Sequence, residues 1–117
     1  MKKILLVISL FVLSGCSLWM ANYDTNEYAL VNRVRTLAQT GDCAKRDELY
    51  LTTLELKNFS QYIPRNQASI DLNEKLFAMV DDLKKKENPS PVFCKLKLEN
   101  VSKTAETIQQ VTGSKPR

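Results

Sequence analysis

The groups able to do chemistry in this chain are three cysteines, two carboxylate pairs, a few serines and a handful of aromatic rings. Cys16, Cys43 and Cys94 could serve as thiolate nucleophiles, metal ligands or disulfide partners. The chain has no histidine, which removes the Ser-His-Asp triad, the Cys-His pair and the imidazole metal site. No CxxC spacing occurs, and no third soft ligand accompanies Cys43 and Cys94, so neither a redox nor a metal pair is expected. Asp81 and Asp82 are adjacent on a helical stretch and point in different directions. Glu99 and Glu106 lie seven apart beside an apolar stripe, where ordinary flank charges belong. Neither pair has a basic or metal partner for acid–base work. Ser60, Ser69 and Ser102 lack any imidazole, and a Ser-Lys dyad would stand without a motif. Gly15, Gly41 and Gly113 are too scattered to cradle a phosphate. Tyr50, Phe59, Tyr62 and Phe77 recur at core-like spacing, which favours packing over a ligand cage. No catalytic residue, cofactor or metal site is therefore expected. At 117 residues the chain holds one domain.

What must position these groups begins with the N-terminus. Lys2 and Lys3 precede an unbroken apolar run, Ile4 to Leu13. That run is too short for a membrane-spanning helix, which needs about 20 apolar residues, and it fits the apolar stretch of a secretory signal. Leu13-Ser14-Gly15-Cys16 follows directly and resembles the bacterial lipobox. The resemblance implies cleavage before Cys16, residues 1–15 being the signal, and acyl chains on Cys16 that enter the lipid bilayer. Two or more chains make such anchoring stable, each buried CH₂ contributing about 0.8 kcal/mol. Ser17 stands where an Asp would resemble an inner-membrane retention signal, so the expected location is the periplasmic face of the outer membrane. Residues 16–23 form an anchor and linker in which Trp19, Met20 and Tyr23 suit either a membrane interface or packing on the domain.

Loss of residues 1–15, which carry Lys2 and Lys3 and no acid, takes the net charge from +4 to +2. That is no nucleic-acid footprint. With Cys16 lipidated, Cys43 and Cys94 form an even pair in an oxidising compartment and are expected to make one disulfide.

The rest of the chain reads as four helices. Asp24 is placed as an N-cap, Glu27 as its capping-box partner and Tyr23 with Tyr28 as a hydrophobic staple. Leu30, Val34, Leu37 and Ala38 give the first helix one apolar face, and Gly41 closes it. The second runs from about Ala44 to Tyr62, with Tyr50, Leu51 and Leu54 on one side and Leu49, Leu56 and Phe59 on the other, a wide arc suited to a central helix. The third runs from about Gln67 to Lys86, with Leu72, Leu76, Met79, Val80 and Leu83 in phase; Lys84-Lys85-Lys86 suits its C-terminal dipole. Ser90 and Pro91 are spaced as N-cap and N1 of the fourth, whose seam is Cys94, Leu98, Val101, Ala105 and Ile108. Gly113 ends it before a basic tail, 114–117. Residues 93–98 also alternate with period two, leaving a short strand as an alternative. In an up-down-up-down order the second and fourth helices run parallel, which brings Cys43 and Cys94 to the same end. The expected fold is all-α: a small disulfide-linked antiparallel bundle of about four helices over residues 24–113, behind a lipoprotein signal peptide.

The stretches Asn26–Val31, Glu55–Tyr62 and Val111–Arg117 resemble small lipoproteins of tailed bacteriophages, some of which are outer-membrane spanin subunits. That resemblance implies a periplasmic protein partner, an inner-membrane spanin, and a role in the last step of host-cell lysis. Proline is sparser here than in the proline-rich outer-membrane spanins. A periplasmic immunity, exclusion or inhibitor lipoprotein and a structural accessory of an envelope complex stand as alternatives. The fourth helix, through Val101, Ala105 and Ile108 to Lys115 and Arg117, is the expected partner contact; the same seam could instead simply close the bundle.

Overall fold

The computed structural model describes residues 21–117. Its helices are α1 (Thr25–Gln39), α2 (Arg46–Gln61), α3 (Gln67–Lys85) and α4 (Pro91–Gly113), with a 3₁₀ turn at Cys43–Lys45 leading into α2. Three of these segments, α1, the 3₁₀ turn and α4, begin on a side-chain cap. The Asp24 carboxylate accepts the Asn26 and Glu27 amide N–H groups at the start of α1, and Asp42 does the same for Ala44. Ser90 Oγ accepts from the Phe93 N–H at 3.1 Å, with Pro91 in the first turn. Gly41, at φ +65°, takes the left-handed position after α1, which an L side chain adopts only at a cost. Tyr23 and Tyr28 rings lie 5.8 Å apart across the start of α1, the staple expected from their spacing. Residues 93–98 are helical throughout.

The helices form a ring in which α1 packs on α2 and α4, and α3 packs on α2 and α4. The core stacks Val31, Val34 and Ala38 of α1, Leu49 and Leu56 of α2, Leu76, Val80 and Leu83 of α3, and Cys94, Leu98, Val101, Ala105 and Ile108 of α4. The fold is thus the all-α, disulfide-linked bundle that the periodicity predicts.

Helix α2 departs from expectation. Of its two proposed apolar sides, Leu49 and Leu56 are buried, whereas Leu51 is 63% exposed. The remaining inward positions are Thr52, Thr53 and Ser60. Their hydroxyls donate to carbonyls of the preceding turn, Thr52 to Glu48 O at 2.8 Å and Ser60 to Lys57 O at 3.0 Å. A hydroxyl satisfied by its own helix can be buried without desolvation cost. Thr112 of α4 uses the same device through Ile108 O.

Asn73, facing inward on α3, is different: it is buried, and neither side-chain polar atom finds a partner among the described residues. An unpaired buried amide costs about 1–3 kcal/mol. Asn73→Leu is therefore expected to raise stability by about 1 kcal/mol or more in urea unfolding; a loss would show that the amide is paired in solution.

Candidate functional site

The two ends of the bundle carry its polar and covalent chemistry. At one end the Cys43–Cys94 disulfide, with Cα atoms 5.7 Å apart, joins the entry to α2 with the first turn of α4, two helices that sit diagonally across the ring. Arg46 adds a hydrogen bond to Lys86 O at 2.9 Å. Cations cover the nearby rings: Lys84 lies over Tyr50 at 3.8 Å and Lys86 over Phe93 at 5.3 Å. Lys85 pairs with Asp81 at 2.7 Å; that hydrogen bond, with the Asp81 charge, raises the Lys85 pKa above its ordinary value.

At the other end the start of α1, the N-cap of α3 and the C-terminal tail converge on a buried ion pair. The Lys115 ammonium donates to Glu27 Oε1 and to Asn66 Oδ1. Asn66 in turn donates through Nδ2 to Glu27 Oε2 at 2.7 Å and to Ser60 O at 2.9 Å. Glu27 is fully buried, and Lys115 and Asn66 are only 6% and 3% exposed. The tail is pinned further by a hydrogen bond from Tyr23 N–H to Pro116 O at 2.8 Å and by the Arg117 guanidinium 4.4 Å over the Tyr23 ring.

Three expectations are corrected here. Glu27 supplies its backbone N–H to the Asp24 cap, but its carboxylate turns inward to Lys115 instead of serving as a capping-box partner. Residues 114–117 are not an exposed basic tail: Lys115 is consumed by the ion pair, and of the two basic residues only Arg117 is exposed. Val101, Ala105 and Ile108 are buried in the core, so the α4 seam closes the bundle and offers no ready contact surface. Gly113 is the last residue of α4, and a Cβ there would meet the Tyr28 ring at 3.2 Å.

Cys43 and Cys94 are joined as expected from the parallel placement of α2 and α4. Cys16, the residues of the Leu13–Cys16 motif, Trp19 and Met20 lie outside the described residues. Among the described residues, no group of three or more His, Cys, Asp or Glu side chains could hold a metal ion, and no helix is long and apolar enough to cross a membrane. Ser69 is buried with its hydroxyl unpaired among the described residues; it lines a small cavity of about 130 Å³ beside Lys115 and Asn66. Ser60 donates to the Lys57 carbonyl of its own helix, and among the described residues neither serine is hydrogen-bonded to a lysine ammonium.

Sequence reasoning missed the Glu27–Asn66–Lys115 cluster. The available signal was weak: a carboxylate at the third position of α1, an Asn before α3 and one Lys after Gly113, each with an ordinary local explanation. No protein-family model, curated protein or solved structure matches this chain.

Proposed function

We propose that this chain is an outer-membrane lipoprotein, anchored through acyl chains on Cys16, whose helical bundle is a non-catalytic periplasmic interaction module. Its most concrete form is the outer-membrane spanin of a phage lysis system. The observation that carries the reading is the order of Lys2-Lys3, the apolar run and Leu13-Ser14-Gly15-Cys16 immediately ahead of the domain. The bundle supports it in two ways. Its disulfide suits an oxidising compartment, and its buried charges are tied into packing contacts instead of facing a reaction site.

Spacing adds a constraint. Ser17 to Tyr23 reaches at most about 25 Å extended, and the 23-residue α4 adds about 35 Å. The domain therefore stays near its own membrane, and any action across the periplasm requires a long partner anchored on the far side, as an inner-membrane spanin would be. Because the α4 seam is closed, that partner would meet outward positions such as Val92 and Leu96, which are 69% and 58% exposed on the first two turns of α4.

Cys16→Ser is expected to abolish metabolic palmitate labelling and to release the protein from the membrane fraction; label retained in that variant ends the lipoprotein reading. For lysis, deleting the gene from its native phage should leave rounded, unlysed cells when magnesium stabilises the outer membrane. Normal lysis there, with no other spanin gene present, rejects the spanin form and favours an immunity, exclusion or inhibitor lipoprotein.

A further inference from the structure

We infer that the end of the bundle bearing Tyr23, Tyr62, Ile63, Arg65 and Arg117 is a docking surface for the anionic phospholipid surface that receives the Cys16 acyl chains, an inference that rests on the lipoprotein reading above. The first argument is reach. The described chain enters at Ala21, which is buried at this end, and Ala21 is five residues after Cys16. Five residues extend at most about 17 Å. Acyl chains in the bilayer therefore hold this end, and not the disulfide end, against the headgroups.

The second argument is the chemistry displayed there. Tyr62 caps α2 and is 85% exposed, more than any other large apolar or aromatic side chain described. It stands beside half-buried Ile63 and exposed Pro64. A ring with a polar tip is the side chain that membrane–water interfaces favour. Tyr23 lies beneath the Arg117 guanidinium, as Tyr50 and Phe93 toward the other end each lie beneath a lysine ammonium. A cleft of about 400 Å³ opens between Tyr23 and Tyr62, with Arg65 on its wall.

The third argument is charge. Arg65 and Arg117 are exposed at this end. Asp24, on the wall of the same cleft, accepts the α1 amides, and Glu27 is paired with Lys115. The surface presented outward combines the exposed Tyr62 ring with two guanidinium groups, side chains that suit anionic headgroups. The opposite end is cationic too, with Lys45 and Lys84–Lys86 against Asp42 and Glu87, so the reach of the chain, and not charge, decides which end faces the headgroups.

The test uses the full chain, purified from membranes and placed in nanodiscs of phosphatidylethanolamine and phosphatidylglycerol that carry a gadolinium-chelating headgroup lipid. The four tyrosines are labelled as 3-fluorotyrosine and their ¹⁹F relaxation is measured, Tyr50 serving as the distal reference. Tyr62 and Tyr23 should relax several-fold faster than Tyr50. Tyr62→Ser combined with Ile63→Ser changes only outward or turn residues, and should shrink the Tyr23-to-Tyr50 contrast without altering the helical circular dichroism. Equal relaxation of Tyr62 and Tyr50 on lipidated, disc-bound protein overturns the docking surface alone and leaves this end open to a protein partner. Undiminished contrast on wholly phosphatidylcholine discs overturns its anionic selectivity. A chain without lipid on Cys16 overturns both this inference and the lipoprotein reading.

Discussion

Lys115→Ala should lower the unfolding free energy by about 3–5 kcal/mol, because it leaves the Glu27 carboxylate buried without its counter-charge. Domains of this size have about 5–15 kcal/mol in total, so the variant should unfold at much lower urea and be partly unfolded near physiological temperature. The expected loss comes from the orphaned partner more than from the attraction itself. Replacing both charges, in Glu27→Leu with Lys115→Met, should recover most of the stability, since an apolar pair of similar volume is often neutral or better than a buried ion pair. Urea unfolding followed by circular dichroism reads both variants. A single variant within about 1 kcal/mol of the parent would place the pair among ordinary surface contacts.

Cys43→Ser with Cys94→Ser should cost a comparable amount. The two residues are 51 positions apart, and closing a loop of that length restricts the unfolded chain by about 4 kcal/mol in the chain-entropy account. For a domain of this size that corresponds to a fall in Tm on the order of 20 °C. Adding reductant to the parent protein should reproduce the shift, while the helical signal at low temperature persists. An unchanged Tm would reject the loop-closure account for this bond.

Local chemistry made much of this fold legible in advance. Asp24, Ser90 with Pro91, and Gly41 each act within one turn of themselves, so their roles follow from immediate neighbours. The seam of α4 is legible because Cys94, Leu98, Val101, Ala105 and Ile108 fit only one face. The inward face of α2 is not, because leucines occur on two faces, and the choice falls to a neighbour that buries Thr52, Thr53 and Ser60 instead of Leu51. The Glu27–Lys115 pair is harder still. Its members are 88 residues apart, and Glu27 sits at a position where a capping-box carboxylate looks the same in sequence. Only the return of the tail over the start of α1 distinguishes the two roles. Asn66 likewise has the residue type of an N-cap, yet its side chain makes no capping bond to α3 and is spent on Glu27 and Ser60.

The diagonal disulfide also decides how the domain answers to force. It closes residues 43–94 into a covalent ring holding all of α2 and α3, and leaves α1 and most of α4 as two arms emerging from it. Both arms run toward the end where the chain enters. A pull between the arm tips would strip α1 and α4 from the ring and then stop, because the ring cannot be drawn out until its bond is cut. The 51-residue separation withholds about 180 Å of contour length. An oxidised tether of this kind is short and stiff at its limit, so tension placed on one arm is passed to the other instead of being dissipated in uncoiling chain.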